Sequence, residues 1–359
     1  MGNDFPSRRA RRTQGLSSGY VTLGQVAEAA GVSLATASRV LNGSTSTRQV
    51  GEELRERVTS SARALGYLPN ASAQSLARNS SSLVGLVVHD IADPYFSSVA
   101  AGVTQMVEEH GLVLVLGTTD RAPGKESTIL AALRSHRAKA VVLVGSRSTD
   151  AESTEQLTRE IEMFRQQGGR VACVSQPVLP ADTVCPDNHA GAAELARRLI
   201  EQGHRKFALL AGPNNLSTAR ERMDGFHSAL ATAGLEPDHQ DVMHGDFTRD
   251  GGYASTERLM KLGTEATCLF AVNDVMATGA IAALRDLGVQ VPGQLSVAGF
   301  DDIPTLRDLT PSLTTVRLPL EQMGRQAAEL VLGEEEHDEP RLIDVHGEVL
   351  IRESTRPPT

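Results

Sequence analysis

The chain of 359 residues has no tryptophan, only 3% aromatic residues and three cysteines. Cys173, Cys185 and Cys268 are odd in number, scattered and without CxxC spacing, so we expect buried thiols rather than a disulfide framework or a zinc site. No apolar run approaches the roughly 18 residues of a membrane span, and none follows the first arginines as it would in a signal peptide. We therefore expect a cytoplasmic protein.

Catalytic patterns are also missing. The sequence has no HExxH, no GxxxxGK[ST] phosphate loop and no GxSxG elbow between a strand and a helix, and its ten histidines are dispersed. No group of residues in the sequence has the pattern of a catalytic, metal-binding or cofactor-binding site. We predict that the protein is not an enzyme.

The region after residue 20 has the pattern of two short helices. Leu23, Val26 and Ala30 recur at helical spacing, Gly31 supplies a tight turn, and Ser33 can cap a second helix. Thr22 is the expected cap of the first helix. Two short helices joined by a turn that contains glycine predict a helix-turn-helix, although an ordinary helical hairpin is the alternative.

The second helix would place a varied face outward, made of Leu34, Ala35, Thr36, Ser38 and Arg39. The last three of these side chains can donate to phosphates or base edges, and the alanine can contact a thymine methyl. This face is the predicted surface for the major groove of DNA.

The sequence that follows supports the DNA-reading interpretation. Residues 51–65 form an amphipathic third helix that would close a three-helix core, and Tyr67-Leu68-Pro69-Asn70 ends it. Residues 71–78 would make a helix of about eight residues, shorter than the roughly 12 that are marginal alone. We expect it to order only with DNA and a second copy of the chain.

Residues 21–78 resemble the headpiece and hinge of the LacI/GalR (lactose repressor) family of transcription factors. The resemblance implies a homodimer on a pseudo-palindromic operator, with hinge helices in the minor groove and Leu76 wedged between base pairs near Ala73. A linker leucine packed on the body of the protein is the alternative for Leu76. The implied set of DNA-contacting residues outside the outward face is Thr22, Ser33, Asn42, Asn70, Ala73 and Leu76.

Two departures from the family pattern concern the headpiece. The loop between Asn42 and Val50 is longer than usual, and Gly51 stands where the family places a serine cap. Gly is only a few tenths of a kcal/mol worse than Ser as a cap. Because the loop is longer than in the family, we do not predict phosphate contacts from residues 43–50.

Charge separates the two parts of the chain. Residues 1–80 hold ten arginines, no lysine and five acidic residues, which gives a charge of +5. Because the whole chain has a net charge of −9, the remaining residues carry −14. A basic head suits phosphate, and an acidic body favours solubility. Residues 1–20 are expected to be a disordered basic arm, which either adds DNA contacts or has no role.

After residue 81 the pattern changes to apolar strands alternating with amphipathic helices. LVGLVVHD, LVLVLGTT, AKAVVLVG and GRVACVSQ predict one parallel doubly wound sheet, and KFALLAGP, DVMHGDF, TCLFAVND and QLSVAGFDD predict a second. The predicted fold is thus a small all-α headpiece with a hinge helix, followed by two α/β doubly wound lobes. These lobes also resemble the family core, which is similar to periplasmic sugar-binding proteins.

The resemblance implies three crossings between the lobes, which we place near residues 187, 318 and 341. The predicted divisions are a basic arm (1–20), a headpiece (21–70) and a hinge with linker (71–81). They are followed by a first lobe (82–186 with 319–340) and a second lobe (187–318 with 341–359).

Polar and aromatic residues at the strand ends suggest a ligand site in the cleft between the lobes. Such residues can bond the hydroxyls of a sugar or stack on its ring. In the family, the positions matching Arg222, Phe247, Asn273 and Asp301 contact the effector. The predicted effector-binding set is Asp93, Tyr95, Phe96, Arg222, Phe247, Asn273 and Asp301, with Ser175 and Gln176 as weaker candidates.

These observations predict a cytoplasmic, nucleoid-associated transcriptional regulator, most simply a repressor, controlled by a small molecule, preferably a neutral sugar. A regulator that senses a protein or responds to no effector is the alternative. A solute-binding protein fits less well, because it would need export and would not carry the headpiece.

Overall fold

The computed structural model describes residues 21–42, 51–67, 81–333, 337 and 339–358, apart from the side chain of Asn42. The described residues form two compact units that divide at Ser81. The arm 1–20, the loop 43–50 and the predicted hinge 71–80 lie outside the described residues, as do Asn70, Ala73 and Leu76. Within the described ranges, no helix is both long and apolar enough to cross a membrane.

The first unit contains three helices: α1 (Leu23–Ala29), α2 (Leu34–Asn42) and α3 (Glu52–Leu65). Gly31, with φ of +62°, makes the turn between α1 and α2, a backbone conformation that glycine adopts without strain. The helices share a small core of buried aliphatic side chains, namely Val26, Ala27, Ala30, Ala37, Val58 and Ala62.

The second unit contains two lobes. Its first lobe is built on a parallel sheet in the order β2-β1-β3-β4-β5-β11. The strands are β1 (Leu83–Val88), β2 (Val113–Thr118), β3 (Ala140–Val144), β4 (Arg170–Val174), β5 (Asp182–Pro186) and β11 (Leu342–Val345). Its helices are α4 (Pro94–Glu109), α5 (Lys125–Ser135), α6 (Ala151–Gln166) and α11 (Leu320–Leu332).

Helices cover both faces of this sheet, as expected for strands that are apolar along their whole length. Helices α5 and α6 bury Leu130, Leu157 and Ile161 against one face, and α4 and α11 bury Val99 and Met323 on the other.

The second lobe has a parallel sheet in the order β7-β6-β8-β9 and an antiparallel pair, β10 with β12. The strands are β6 (Phe207–Leu210), β7 (Val242–Met243), β8 (Cys268–Ala271), β9 (Ser296–Ala298), β10 (Thr315–Arg317) and β12 (Glu348–Leu350). Its helices are α7 (Asn188–Glu201), α8 (Ser217–Thr232), α9 (Arg249–Leu262) and α10 (Asp274–Asp286), with 3-10 turns at His239–Asp241 and Pro304–Asp308.

One predicted lobe boundary was wrong. We placed the last crossing near residue 341, but β11 (Leu342–Val345) pairs with β5 in the first sheet, and the chain reaches the second lobe only at β12. The crossing therefore lies at residues 346–347. A four-residue edge strand that carries an aspartate has too weak an apolar pattern to be recognised alone, and its pairing with β5 is what identifies it.

Candidate functional site

The headpiece presents the predicted outward face of α2 to solvent. Leu34 is 57% exposed and Ala35 is also exposed, whereas Thr36, Ser38 and Arg39 are half-buried. The two apolar side chains are thus the more prominent part of this face.

Thr22 and Ser33 act as helix caps. The amide of Gln25 donates to Oγ1 of Thr22 over 3.4 Å while the amide of Thr22 donates to Oε1 of Gln25 over 2.8 Å, which makes a capping box. The amide of Thr36 donates to Oγ of Ser33 over 3.1 Å. Any contact of these two hydroxyls with DNA would be made in addition to capping.

Arg57 has a structural role that the sequence did not indicate. Its Nη2 donates to the carbonyl oxygen of Ala30 over 2.8 Å, at the end of α1. This bond ties α3 to the turn that orients α2. The sequence showed only an arginine on a basic helix.

The structure brings all seven predicted effector residues to one cavity between the lobes, which we call the cleft cavity. Its volume is about 40 Å³. The first lobe contributes Asp93, Tyr95 and Phe96, and the second contributes Arg222, Phe247, Asn273 and Asp301. Ser175 and Gln176 also line it. Each of these residues follows a strand or begins a helix at the carboxyl edge of its sheet, except Arg222, which α8 delivers.

An ion pair lies at the base of the cleft cavity. Nη2 of Arg222 donates to Oδ1 of Asp301 over 2.7 Å, Nη1 donates to the carbonyl oxygen of Val272 over 2.7 Å, and Nε donates to Oδ1 of Asn188 over 2.9 Å. The guanidinium also lies 3.9 Å from the ring centroid of Phe300. Burial raises the pKa of Asp301 to about 6, although Arg222 opposes that shift.

Two of the cavity's polar residues also cap helices. Oδ1 of Asn273 accepts from the amide of Met276 over 2.9 Å, so Asn273, rather than Asp274, caps α10. Oδ1 of Asp93 accepts from the amide of Tyr95 over 3.0 Å at the start of α4. Burial raises the pKa of Asp93. Because capping fixes both side chains, the cavity's polar groups are held in place without a ligand.

The aromatic side chains of the first lobe form one edge-to-face cluster. The rings of Tyr95 and Phe96 are 5.1 Å apart, and those of Phe96 and His89 are 5.8 Å apart. His89 is buried, with Nδ1 2.8 Å from Oγ1 of Thr119 and Nε2 3.2 Å from the carbonyl oxygen of Ser146. Burial lowers the pKa of His89 to about 4, so its ring is neutral at pH 7.

Sequence reasoning missed several cavity residues, including His89, Arg121, Asn188 and Thr218. His89 directly follows β1, and Asn188 follows the crossing after β5. A systematic search of strand ends would have found these two. Nothing local indicates Thr218, which reaches the cavity from the first turn of α8.

The two lobes also contact each other directly at one side of the cleft cavity. Residues 146–149 of the first lobe pair with residues 215–218 of the second, and we call this pairing the cross-lobe contact. The amide of Thr149 donates to the carbonyl oxygen of Asn215 over 3.0 Å, and the amide of Ser217 donates to the carbonyl oxygen of Arg147 over 2.9 Å. An antiparallel bridge joins Ser148 and Leu216 between these bonds.

Buried side chains support the cross-lobe contact. Arg147 makes two bonds to the Glu126 carboxylate, of 2.8 and 3.2 Å, which fixes its segment in the first lobe. Gln176 accepts from the amide of Arg147 over 2.9 Å, and its Nε2 donates to Oγ1 of Thr218 and Oε2 of Glu221, both over 2.9 Å. Gln176, a weak candidate in the sequence, therefore joins the lobes here together with Ser146, whose Oγ accepts from the amide of Thr218 over 3.0 Å.

Comparison with known proteins gives a consistent result. Residues 22–70 match a family model described as bacterial regulatory proteins, lacI family, and residues 196–355 match a periplasmic binding protein-like domain. The chain is 34% identical over 335 residues to the HTH-type transcriptional regulator GalR of Escherichia coli (strain K12), covering 92% of this chain and 94% of the relative.

Two solved structures are similar over nearly the whole chain. The complex of the transcriptional regulator CelR with cellobiose has a TM-score of 0.66 and 31% identity, covering 93% of this chain and 100% of that one. The lac repressor dimer bound to operator and the anti-inducer ONPF has a TM-score of 0.78 and 25% identity, covering 94% and 100%.

Proposed function

This chain is a DNA-binding transcriptional regulator that belongs to the lacI family of bacterial regulatory proteins, and we propose that a neutral sugar bound in the cleft cavity controls its affinity for operator DNA. The observation that carries this proposal is that seven strand-end and helix-end residues from both lobes meet at one cavity. A ligand held by both lobes has a different affinity for their open and closed arrangements, which is what allosteric control requires.

The charges around the cleft cavity favour a neutral ligand. Arg121 and Arg222 are balanced by Asp93 and Asp301, and Arg222 is already paired with Asp301. A sugar hydroxyl can both donate to a carboxylate and accept from an amide or guanidinium. The similarity to a regulator solved with cellobiose supports a carbohydrate as well.

The size of the cleft cavity indicates how binding would act on the protein. Its volume of about 40 Å³ is far below the roughly 300 Å³ at the small end of ligand pockets. Binding therefore requires the lobes to separate, which breaks or rearranges the cross-lobe contact. Because the first lobe begins directly after the linker to the headpiece, its movement would reach the DNA-binding unit through the chain.

The proposed working form is a homodimer on a pseudo-palindromic operator in the cytoplasm, associated with the nucleoid. Strand β2 is at the edge of the first sheet, and its Val113, Val115 and Leu116 are 53%, 39% and 45% exposed. An apolar edge of this kind is suited to contact with a second copy. The similar lac repressor structure is a dimer on its operator.

The proposed DNA-reading residues are those of the outward face of α2, with Thr22, Ser33, Asn42 and Asn70 at phosphates and Ala73 and Leu76 in the minor groove. The predicted division into arm, headpiece, hinge and lobes is likewise our proposal, with the last crossing moved to residues 346–347.

A thermal-shift screen against sugars, sugar phosphates and nucleobases tests the sugar proposal. We expect a neutral sugar to raise Tm, and expect Arg222→Ala, Asp301→Ala and Phe247→Ala to abolish the shift. Phe247→Ala removes no buried charge, so it separates loss of binding from loss of folding. Asp224→Ala, exposed on the same helix as Arg222, is the matched control. If operator binding is intact and no compound shifts Tm, the effector-independent regulator replaces this proposal.

A further inference from the structure

A second void, which we call the outer groove, adjoins the cleft cavity. It has a volume of about 410 Å³ and shares His89, Arg121, Ser146, Leu216 and Phe247 with the cavity. Both lobes line it. The two voids are therefore adjacent, with these five residues lining both.

The walls of the outer groove combine apolar surfaces with hydroxyl-binding groups. Pro123, Pro213 and Phe247 provide apolar surface, while Ser153 and Asp246 provide acceptors. A pyranose ring has the same two kinds of surface, because its C–H face packs on apolar side chains and its hydroxyls bond polar ones. Ser148 and Asn215 add polar groups, since the cross-lobe contact uses the carbonyl rather than the side chain of Asn215.

The charges of the outer groove are largely paired, which suits a neutral ligand. Asp120, Glu126 and Asp246 line it, against one arginine, Arg121. Burial alone would raise the pKa of Glu126, but Arg147 beside it holds that pKa below its usual value, so this carboxylate stays ionised. Asp120 is ion-paired with Lys125 over 2.6 Å and Glu126 with Arg147 over 2.8 Å, so these charges are compensated and the lining offers a phosphate no excess of positive charge.

Among the helices that begin at the outer groove, α5 starts after Gly124 without a side-chain cap, whereas α6 and α9 are capped. The amide of Ser153 in α6 already donates to Asp150 over 3.0 Å, and the amide of Gly251 in α9 already donates to Thr248 over 3.0 Å. Their first turns are thus partly satisfied by their own caps.

Arg121 and Phe247 stand where the two voids meet. Arg121 comes from the first lobe and Phe247 from the second, and the guanidinium carbon is 5.9 Å from the ring centroid. The guanidinium is also 3.9 Å from a carboxylate oxygen of Asp93 inside the cleft cavity. Because the side chains of Arg121 and Phe247 come from opposite lobes, the distance between them increases when the lobes separate, and this pair marks the junction of the two voids.

We propose that the outer groove is a second sugar subsite and that the effector is a neutral disaccharide or longer oligosaccharide. This inference rests on the proposed function of the cleft cavity. With the lobes separated, one ring occupies the enlarged cleft cavity and the next ring lies in the outer groove against Asp246 and Asn215, with Arg121 and Phe247 on either side of the junction.

Calorimetric titration of matched sugars tests the subsite. The pairs are glucose with cellobiose, glucose with maltose, galactose with lactose, and galactose with melibiose, and glucose 6-phosphate serves as the anionic probe. In the wild-type protein we expect at least one disaccharide to bind at least tenfold more tightly than its monosaccharide. Asp246→Leu and Asn215→Leu should reduce that ratio to about one and leave the monosaccharide Kd within twofold. Asp224→Ala should change neither.

Each result that departs from this expectation contradicts a different part of the proposal. Equal affinity for the mono- and disaccharide, or a ratio that survives both groove variants, removes the second subsite but leaves the sugar proposal intact. Tighter binding of glucose 6-phosphate that strengthens in Asp246→Leu would make the groove an anion site. Absence of binding by every sugar, with folding and operator binding retained, overturns the proposed function together with the subsite.

Discussion

Nη2 of Arg222, on α8, lies 2.7 Å from Oδ1 of Asp301, which follows β9, and both side chains are almost fully buried. The pair joins two elements that are 79 residues apart in the sequence. Asp301 has φ of +122°, a region that L side chains rarely adopt, so the backbone is held in a strained conformation where the carboxylate meets the guanidinium.

Removal of one partner from this pair should be costly. Arg222→Met leaves a buried carboxylate without its cation, and we expect the free energy of unfolding at pH 8 to fall by about 3–5 kcal/mol in urea denaturation. At pH 5 the loss should be smaller, because Asp301 can take up a proton. Adding Asp301→Asn to Arg222→Met should recover part of the stability. An equal loss at both pH values would contradict the assignment of the cost to the unpaired charge.

Asp274 should give the stability a distinctive pH dependence. It is buried, accepts from Oγ1 of Thr315 over 2.7 Å and from the amide of Ile303 over 3.1 Å, and burial raises its pKa to about 8. Between the ordinary Asp pKa of about 3.9 and that value, the folded protein keeps a proton that the unfolded chain has lost. The contribution of Asp274 is thus fully present below about pH 4 and falls as pH rises through 8.

Asp274→Asn is the direct measurement of that effect. The decline in unfolding free energy between pH 6 and pH 8 should be shallower in the variant than in the wild type, even if the variant is less stable at every pH. Asp286→Asn, at the exposed end of the same helix, is the control. Parallel curves for wild type and Asp274→Asn would show that another group titrates in this range.

The contact between α4 and α11 depends on two glycines. A Cβ on Gly102 would lie 1.9 Å from the carbonyl oxygen of Glu321, and one on Gly324 would lie 2.0 Å from that of Val99. Because both neighbours are backbone, the helices must move apart, and we expect Gly102→Ala to lower stability by at least about 1–3 kcal/mol. Gly51→Ser, at the exposed cap of α3, should change stability by only a few tenths of a kcal/mol. Thermal denaturation distinguishes the two.

Gln176 should control how readily the cleft opens. Gln176→Ala removes the bonds to Thr218 and Glu221 across the lobes, and we expect a larger radius of gyration by small-angle scattering in the absence of sugar. Gln105→Ala, exposed on α4, should leave the radius unchanged. Identical scattering for wild type and Gln176→Ala would show that the cross-lobe contact does not depend on this side chain.

Arg39 and Arg57 should affect DNA binding in different ways. Arg39→Ala should weaken binding and, if Arg39 contacts a phosphate, reduce the slope of log K against log salt by about one. Arg57→Ala should lower the Tm of the headpiece, because it loses the bond to Ala30, while the slope measured below that Tm stays the same. Fluorescence anisotropy on a selected operator measures both slopes. If Arg57→Ala instead reduces the salt slope and Arg39→Ala instead lowers the Tm, the two arginines have the opposite roles.

The helix-turn-helix, the two parallel sheets and six of the seven predicted effector residues could be predicted because their signals are local, whereas Arg222, within α8, was supported by the family resemblance. Apolar periodicity identifies an element within a few turns, and residues that follow strands such as β8 and β9 must meet at the carboxyl edge of a parallel sheet. Asn273 and Asp301 were found in this way. Predicting whether a segment is a helix or a strand, and at which edge of the sheet it ends, does not depend on knowing which residues pack against it.

Only the tertiary structure decided which partners meet across long separations. Local sequence does not show that Arg57 caps α1, that Gln176 joins the lobes, or that β11 belongs to the first sheet. The same is true of the pairing of Arg222 with Asp301 and the closure of the cavity to about 40 Å³. These contacts depend on how sheets and helices pack, and packing is set by the whole chain because each element's position is fixed by several others at once.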